Sequence, residues 1–555
     1  MAYKAPKSEF EIYDRTISIF PSMSSIVGIS FPCDKGDVLI PKLLSNSDNF
    51  NKFIDIESRT NYQREGLRLV LKDSAVLFVR PLMTDDLTAG CVLDGDGVAD
   101  DGGVAISAAQ AEDLNYMYAT EYERIPTADE VGAANVFTFG GVTEYAVLMA
   151  RNPGSWGNDL SYKIENSDAV NLTFDLLIYD DGVLVETWEG ISTDVNATNE
   201  YNQNIFITDF LERESDYVRA YVNPSATAVV PDDEGVAVSL AEGADYSSVT
   251  DADIVTAYAK FRDTEIAFGY LITAGNSDAT TKTTEFIALL TELYTICTQK
   301  ILCQAVADSP LVNDYSDIVT FYTTVRATVT SDNGSYISPV APYQKGIHSI
   351  YGNVLNIPAS FFAIRCYLKR DAKFTYPWHT PAGIRDGIGY IEDSLGNTID
   401  LEAQTTRDVL WDVDVNCIHR FGSQLYLDGD KNMYGSESYF NAVGVRGLLN
   451  WLQYSLQYVG EYIKYLIIDL REDESNMRNK IYDLAKPVLD IPLSDEERAI
   501  SEYEIIANAT NNPTSKIDQH IAIVAYKFKP NPNARYVVQR LIVMKQSSEL
   551  STTIV

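Results

Sequence analysis

From Asn441 onward the chain runs NAVGVRGLLNWLQYSLQYVGEYIKYLIIDL. Val445, Leu448, Leu449, Leu452, Leu456, Val459, Ile463, Leu466, Ile467 and Leu470 recur mostly at three- and four-residue steps, which predicts one apolar face of a long helix. A second helix is predicted from Asn476, with Met477, Ile481, Leu484 and Val488 on one face. The pattern then changes: residues 511–546 read as two strands rich in β-branched and aromatic residues, joined by a Pro/Asn turn. At the other end, residues 1–24 alternate at Phe10, Ile12, Ile17 and Ile19 without a helical period. An alternating strand at a terminus pairs either with its own sheet or with another chain.

Between these ends the pattern predicts several layers. Residues 25–55 read as strand, turn at Lys35-Gly36-Asp37, short extended piece and helix, and residues 71–82 as a further strand. Residues 146–165 open a β-rich section, and 171–191 form a hairpin around Asp180-Asp181-Gly182, with short strands near 204–208 and 218–223. Thr250 is the expected N-cap of a helix, with Asp251 and Asp253 suited to its positive end. Strand 266–275, helix 282–299 and strand 301–308 then indicate an α/β domain reaching about residue 345.

The expected fold is therefore multidomain, α+β and α/β. A discontinuous α/β core drawn from both chain ends (25–84 and 346–535) carries inserted domains. These are a small acidic insertion (85–142), a β-sandwich-like domain (143–250) and an α/β domain (251–345), with extended arms at 1–24 and 536–555. Charge sharpens this division. Of 555 residues, the stretch 85–345 holds 43 acidic against 11 basic residues, while 1–84 and 346–555 are nearly balanced, in a chain of net charge −36. Such a surface repels phosphate, which argues against a nucleic-acid partner. It suggests that the middle faces water and the ends face protein. No basic, apolar-cored leader and no apolar run near eighteen residues occurs, so a soluble chain made in the cytosol, without membrane insertion, is expected.

Candidate chemistry is sparse. Asp94, Asp96, Asp100 and Asp101 crowd a glycine-rich loop, but their spacing does not fit a twelve-residue calcium loop and the closing Glu is missing. The six cysteines are scattered, which predicts buried free thiols. Cys417 and His419 share a face of a predicted strand and form the one conceivable nucleophile–base pair. A buried structural pair is the simpler reading. No phosphate-binding loop, nucleophile elbow, zinc-protease or dinucleotide fingerprint is present, so no catalytic residue, cofactor or metal is expected. Residues 527–545 hold Lys527, Lys529, Arg535, Arg540 and Lys545 with no acid. They read either as a basic surface facing an acidic neighbour or inner tube, or as an edge strand protected by charge.

Several segments, in order, resemble the contractile tail sheath proteins of bacteriophages and related injection systems. They are residues 26–54, Pro153-Gly154-Ser155-Trp156-Gly157-Asn158, the Gly/Asp-rich helix entry at 240–258, and Pro381-Ala382-Gly383 with Arg385 nearby. The strand around Asn416, the helix entry Val445-Arg446-Gly447-Leu448 and the closing block from Asn511 follow. The resemblance spans about four-fifths of the chain and leaves out 85–142. Two departures stand out: Gly447 replaces a second Arg, and residues 422–435 replace a Trp-Gly-x-Arg-Thr element.

The resemblance implies a structural virion protein. Such a subunit polymerises helically or as stacked rings around an inner tail tube, meets baseplate and tail terminator proteins, and assembles in the host cytoplasm. It also implies terminal arms that add strands to neighbouring subunits. Here that points to Phe10, Ile12, Ile17, Ile19, Tyr536, Val538, Leu541 and Val543 as arm strands, and to Ile521, Ile523, Val524, Tyr526 and Phe528 as the receiving sheet. The alternative reading is a non-contractile virion surface protein or adhesin that binds host glycans through the β-rich section.

Overall fold

The computed structural model describes residues 25–33, 36–45, 62–83, 86–94, 104–107, 110–111, 114, 137, 139, 144–223, 230–231, 233, 235–246, 250–276, 283–329, 331–388, 395–422, 424–468 and 476–535. The chain divides into two compact units, residues 1–454 and 455–555.

The first unit opens with β1 (Val27–Ser30), β2 (Lys42–Leu44), helix α1 (Tyr62–Val70) and β3 (Val76–Val79). A β-rich section follows: β4 (Gly90–Asp94), β5 (Val104–Ala105), β6 (Glu144–Ala150), β7 (Leu160–Asp168), β8 (Thr173–Asp180), β9 (Val183–Ile191), helix α2 (Ile207–Glu214), β10 (Val218–Val222) and β11 (Val238–Ser239). Helix α3 (Asp251–Ala259), β12 (Tyr270–Ile272), α4 (Thr283–Lys300), β13 (Gln304–Asp308), α5 (Tyr315–Thr328) and β14 (Ile337–Ala341) restore an α/β alternation. A small sheet of β15 (Gln344–Ile347), β16 (Val354–Ile357) and β17 (Gly396–Asn397) follows, with α6 (Ala359–Lys373) between β16 and β17 in the chain. Then come α7 (Gln404–Asp412), β18 (Asn416–Phe421), β19 (Gln424–Asp428) and α8 (Val443–Ile463).

The largest sheet runs β19-β18-β14-β13-β12-β1-β3-β2. Its inner strands from β18 to β3 are parallel, and β19 and β2 close the edges antiparallel. Every residue of β1, β3, β12, β13 and β14 is buried, as expected for parallel strands covered on both faces. One face packs against α3, the 3-10 turn after it, α4 and α5 through Ile254, Phe261, Leu290, Leu293, Phe321 and Val325. The other packs against α1 and α6 through Leu67, Phe361, Phe362 and Ile364.

This arrangement corrects one expectation. The stretch 251–345 is not a separate inserted domain, because β12, β13 and β14 fill the centre of the core sheet. Helix, strand and apolar run look alike in a core and in an insert, and pattern alone carries no pairing information. The β-rich section is also larger than 143–250. β4 and β5, which fall in the stretch expected as a small separate insertion, pair into the sheet β10-β6-β4-β5. That sheet faces β11-β7-β8-β9 across a shared core including Cys91, Leu148, Tyr162, Phe174 and Ile178. The second part of the core is shorter than 346–535, since residues from 455 onward form the second compact unit.

The second unit contains the end of α8, α9 (Asn476–Leu493), β20 (Ile500–Ile506) and β21 (Ala525–Pro530). Helix α8 stops at Ile463, and Ile467, expected on its apolar face, is 88% exposed. On α9, Met477, Ile481 and Val488 are buried as the spacing predicts, and Ala485 joins them.

Candidate inter-subunit sheet and its supporting contacts

β20 and β21 form a two-stranded antiparallel sheet. The alternation in β20 sorts its side chains onto two faces. Tyr503 lies opposite Phe528 and Ile505 opposite Tyr526, and this face packs on α9. The Tyr482 hydroxyl donates to the Ile505 carbonyl at 2.6 Å, and the Tyr503 hydroxyl donates to Asp490 Oδ1 at 2.5 Å. Burial, then the adjoining Asp490 carboxylate, push the Tyr503 phenol well above its usual range, and burial pushes Tyr526 up to about 12. On the opposite, solvent-facing side, Lys527 lies 3.4 Å from Glu504, and Lys529 pairs with Glu502. Among the described residues no third strand pairs with either outer edge.

The structure places the expected receiving residues unevenly. Tyr526 and Phe528 lie in β21, whereas Ile521, Ile523 and Val524 precede it in irregular backbone. The cause is local. Asn512, almost wholly buried, donates to the Ile523 carbonyl at 2.9 Å and accepts from the Ile523 amide at 2.5 Å, so that backbone is satisfied by a side chain rather than a strand. Asn511 Nδ2 bridges the carbonyls of Ile506 and Ile523 at 2.8 Å each, which joins the end of β20 to the entry of β21. This gives the Asn-Asn pair of the closing block a physical role. Lys527 and Lys529 do not form a purely basic face, because Glu502 and Glu504 stand opposite them. Arg535 ends the described chain. Phe10, Ile12, Ile17, Ile19, Tyr536, Val538, Leu541, Val543, Arg540 and Lys545 lie outside the described residues, as do Asp96, Asp100 and Asp101 of the acidic loop.

In the first unit, the Pro153–Asn158 segment ties the β-rich section to the core sheet. Gly154 takes φ 131°, which favours glycine, and a short 3-10 turn follows. The Ser155 amide and hydroxyl both donate to Asp245, at 2.7 Å each. Asn158 and Gly243 exchange two hydrogen bonds of 2.8 Å. A Cβ on Gly157 would lie 2.7 Å from that of Ala150, so only glycine lets these backbones meet. From the core side, Arg80 at the end of β3 is fully buried and donates to the carbonyls of Gly36 and Pro153, each at 3.0 Å, and to Asp86 at 3.2 Å. Asp86 also accepts from the amides of Tyr246 (2.9 Å) and Met83 (3.4 Å). Burial outweighs these partners and raises the Asp86 carboxyl to about 6.

The remaining motifs also find structural roles. Thr250 caps α3 by accepting from the Asp253 amide at 3.4 Å. Asn416, the first residue of β18, donates to Ser338, Pro339 and Lys431 and accepts from the Lys431 amide at 2.9 Å, binding β14 to the turn after β19. Gly444 and Gly447 press against the carbonyls of Trp378 and Pro377, and a Cβ at 447 would stand 2.5 Å from the Pro377 oxygen. That contact leaves no room for a side chain at 447. Arg385 is exposed and pairs with Asp386 at 2.6 Å. Cys417 is buried, and burial raises its thiol to about 12. A thiol held there stays protonated at neutral pH and is no nucleophile. His419 instead meets Asp428 at 3.0 Å and Tyr426 at 2.6 Å.

No family model matches the chain. The fold, however, is shared with a solved sheath tail protein of Listeria innocua, at a TM-score of 0.52 and 13% identity over 92% of each chain. Two curated proteins match by sequence. The tail sheath protein of Vibrio phage KVP40 is 21% identical over 397 residues, 66% of this chain and 54% of that protein. The tail sheath protein of Enterobacteria phage T4 is 24% identical over 376 residues, 63% of this chain and 53% of that protein. The chain thus spans about half the length of the curated relatives it matches. By sequence, then, the chain is similar to tail sheath proteins, and its fold is that of a solved sheath tail protein.

Proposed function

We propose that this chain is a structural, non-enzymatic tail sheath subunit. It assembles in the host cytoplasm, polymerises around an inner tail tube between baseplate and terminator, and contracts to drive the tube through a host envelope. The relatedness to two tail sheath proteins supports the class. The observation that carries the polymer reading is the two-stranded sheet of β20 and β21, whose outer edges bear no strand among the described residues.

A sheet of two strands is marginal by itself and gains from added strands. An arm making about six inter-chain hydrogen bonds gains roughly 0.5–1.5 kcal/mol from each. Burial of some four apolar side chains adds about 1.5–3 kcal/mol apiece. Ordering the arm opposes much of this. The surplus repeats at each subunit, and a head-to-tail contact of this kind generates filaments rather than closed dimers. Rearrangement between two discrete interfaces would then shorten the lattice while the arms keep it connected.

Negative-stain microscopy of the purified chain tests the reading, with hollow tubes as the expected result. Removing residues 1–20 or 536–555 should leave folded monomers that form no tubes. Long tubes from either truncated chain would refute arm exchange. The sequence likenesses favour this reading over a glycan-binding adhesin; binding of residues 143–345 on a glycan array would reverse that preference.

A further inference from the structure

β15 and β16 form a hairpin, with Ile347 opposite Val354 where the turn begins. The turn, residues 348–353, is closed by its own backbone. The His348 amide donates to the Asn353 carbonyl at 2.8 Å, and the Gly352 amide to the His348 carbonyl at 3.0 Å. Its tip stands in solvent and displays Ile350 and Val354, each more than half exposed.

The His348 side chain points the other way and is buried. Nδ1 accepts from the amides of Ile350 at 3.1 Å and Tyr351 at 3.4 Å, while Nε2 faces Glu65 Oε1 of α1 at 3.9 Å. A backbone amide can only donate, so Nδ1 offers a lone pair here. The closed turn therefore requires a ring whose single proton sits on Nε2. An imidazolium carries hydrogen on both nitrogens, and a hydrogen at Nδ1 would point at two N–H groups. Imidazole is also the side chain whose charge ordinarily changes between about pH 5 and 8.

We infer that His348 is a proton-operated latch: the neutral ring holds the 348–353 turn closed, and protonation at Nδ1 releases the backbone of Ile350 and Tyr351 and moves the apolar tip. The inference does not rest on the sheath reading above.

Three features make this a local device rather than a point of general acid unfolding. Ile350 and Tyr351 are exposed, so water can accept from their released amides. The charge gained by the ring arises beside a buried carboxylate. Glu65 pairs with Arg64 at 3.0 Å and Arg68 at 2.9 Å and accepts from the Ser349 hydroxyl at 2.8 Å, which keeps the near end of the turn tethered to α1. Those three α1 side chains and Tyr351, whose ring lies 5.2 Å from the imidazole, are the titratable and charged groups facing it among the described residues. β16 carries none, and Lys345 of β15 is exposed. Lastly, the pairing of β15 with β16 and β17 uses no atom of the His348 side chain, so the sheet can outlast the turn.

Hydrogen exchange read by peptide mass on the full chain at pH 8 and pH 5, corrected for the intrinsic effect of pH, tests the latch. In the native chain the corrected rate over 349–352 should rise about ten-fold at pH 5, while peptides from β15, β16 and α1 keep their protection. His348→Asn places Oδ1 where Nδ1 stands, so it accepts without titrating and should keep the turn protected at both pH values. His348→Leu has no acceptor and should leave the turn open at both. A native turn equally protected at both pH values would overturn the proposal. So would acid opening that survives in His348→Asn, a turn still protected in His348→Leu, or protection lost together across β15, β16 and α1. Tube formation plays no part in the readout, so failure here leaves the sheath reading untouched.

Discussion

Gly447 offers a test of sign. In an exposed helix interior, Gly→Ala gains about 0.8–1.0 kcal/mol from backbone entropy and propensity. At 447 the new methyl carbon would stand 2.5 Å from the Pro377 carbonyl oxygen, so something must shift. That carbonyl is not free to retreat, because the fully buried Arg370 donates to it at 3.0 Å while also holding the His379 carbonyl and the Tyr270 hydroxyl. Overpacking of this kind costs about 1–3 kcal/mol, which offsets or exceeds that gain, so Gly447→Ala should be destabilising by up to about 2 kcal/mol net. Gly460, further along the same helix, has no heavy atom within 4 Å of its would-be Cβ. Gly460→Ala should therefore stabilise by about 0.5–1 kcal/mol. Guanidinium unfolding of both variants, followed by tryptophan fluorescence and far-ultraviolet dichroism, checks the contrast. If Gly447→Ala raised the midpoint as Gly460→Ala does, the close-approach argument would be refuted.

Arg80→Met should cost about 3–5 kcal/mol at pH 7 by leaving Asp86 buried without its cation, so that the carboxyl must take up a proton in the fold, and amide exchange should accelerate at 86–90 and 154–158. The folded Asp86 carboxyl sits near 6, above its ordinary 3.8, so its contribution to stability is fully present below about pH 3.8 and lost as pH rises through about 6. The Arg80→Met penalty should accordingly shrink at pH 5, as seen by unfolding at both pH values. Native chain treated with iodoacetamide at pH 8 should keep Cys417 unmodified, and denatured chain should take up label at all six cysteines, read by peptide mass. Asn416→Ala removes the side chain joining β14 to the turn after β19 and should cost about 2–4 kcal/mol in the same unfolding assay.

Periodicity made the helices legible because each buries one face, as Ile481 and Val488 do on α9 and Leu448 and Leu452 on α8. Thr250 was readable because capping is a local interaction. Sheet membership was not. β12 sits beside β1 although they are more than 200 residues apart, and nothing in an apolar run states its partner. The same limit hid Glu502 and Glu504 from the reading of a basic segment, since the carboxylates arrive from another strand. Ile523 has strand-forming composition but lost its ladder place to Asn512, a competition visible only once the side chain is positioned. Gly447 was seen as a departure from the pattern, and the lack of room there was visible only with the Pro377 carbonyl in place.

The β-rich section is threaded into the chain between β3 and β12, the strands that flank β1 on its two sides. The ladder bonds among β1, β3 and β12 are made without any residue from 90 to 246. The core thus presents a socket: Arg80 and Gly36 grip the incoming Pro153 turn, and the sheet's own register is settled independently of what is plugged in. A lineage can lengthen, recharge or exchange that module while the core sheet stays as it is.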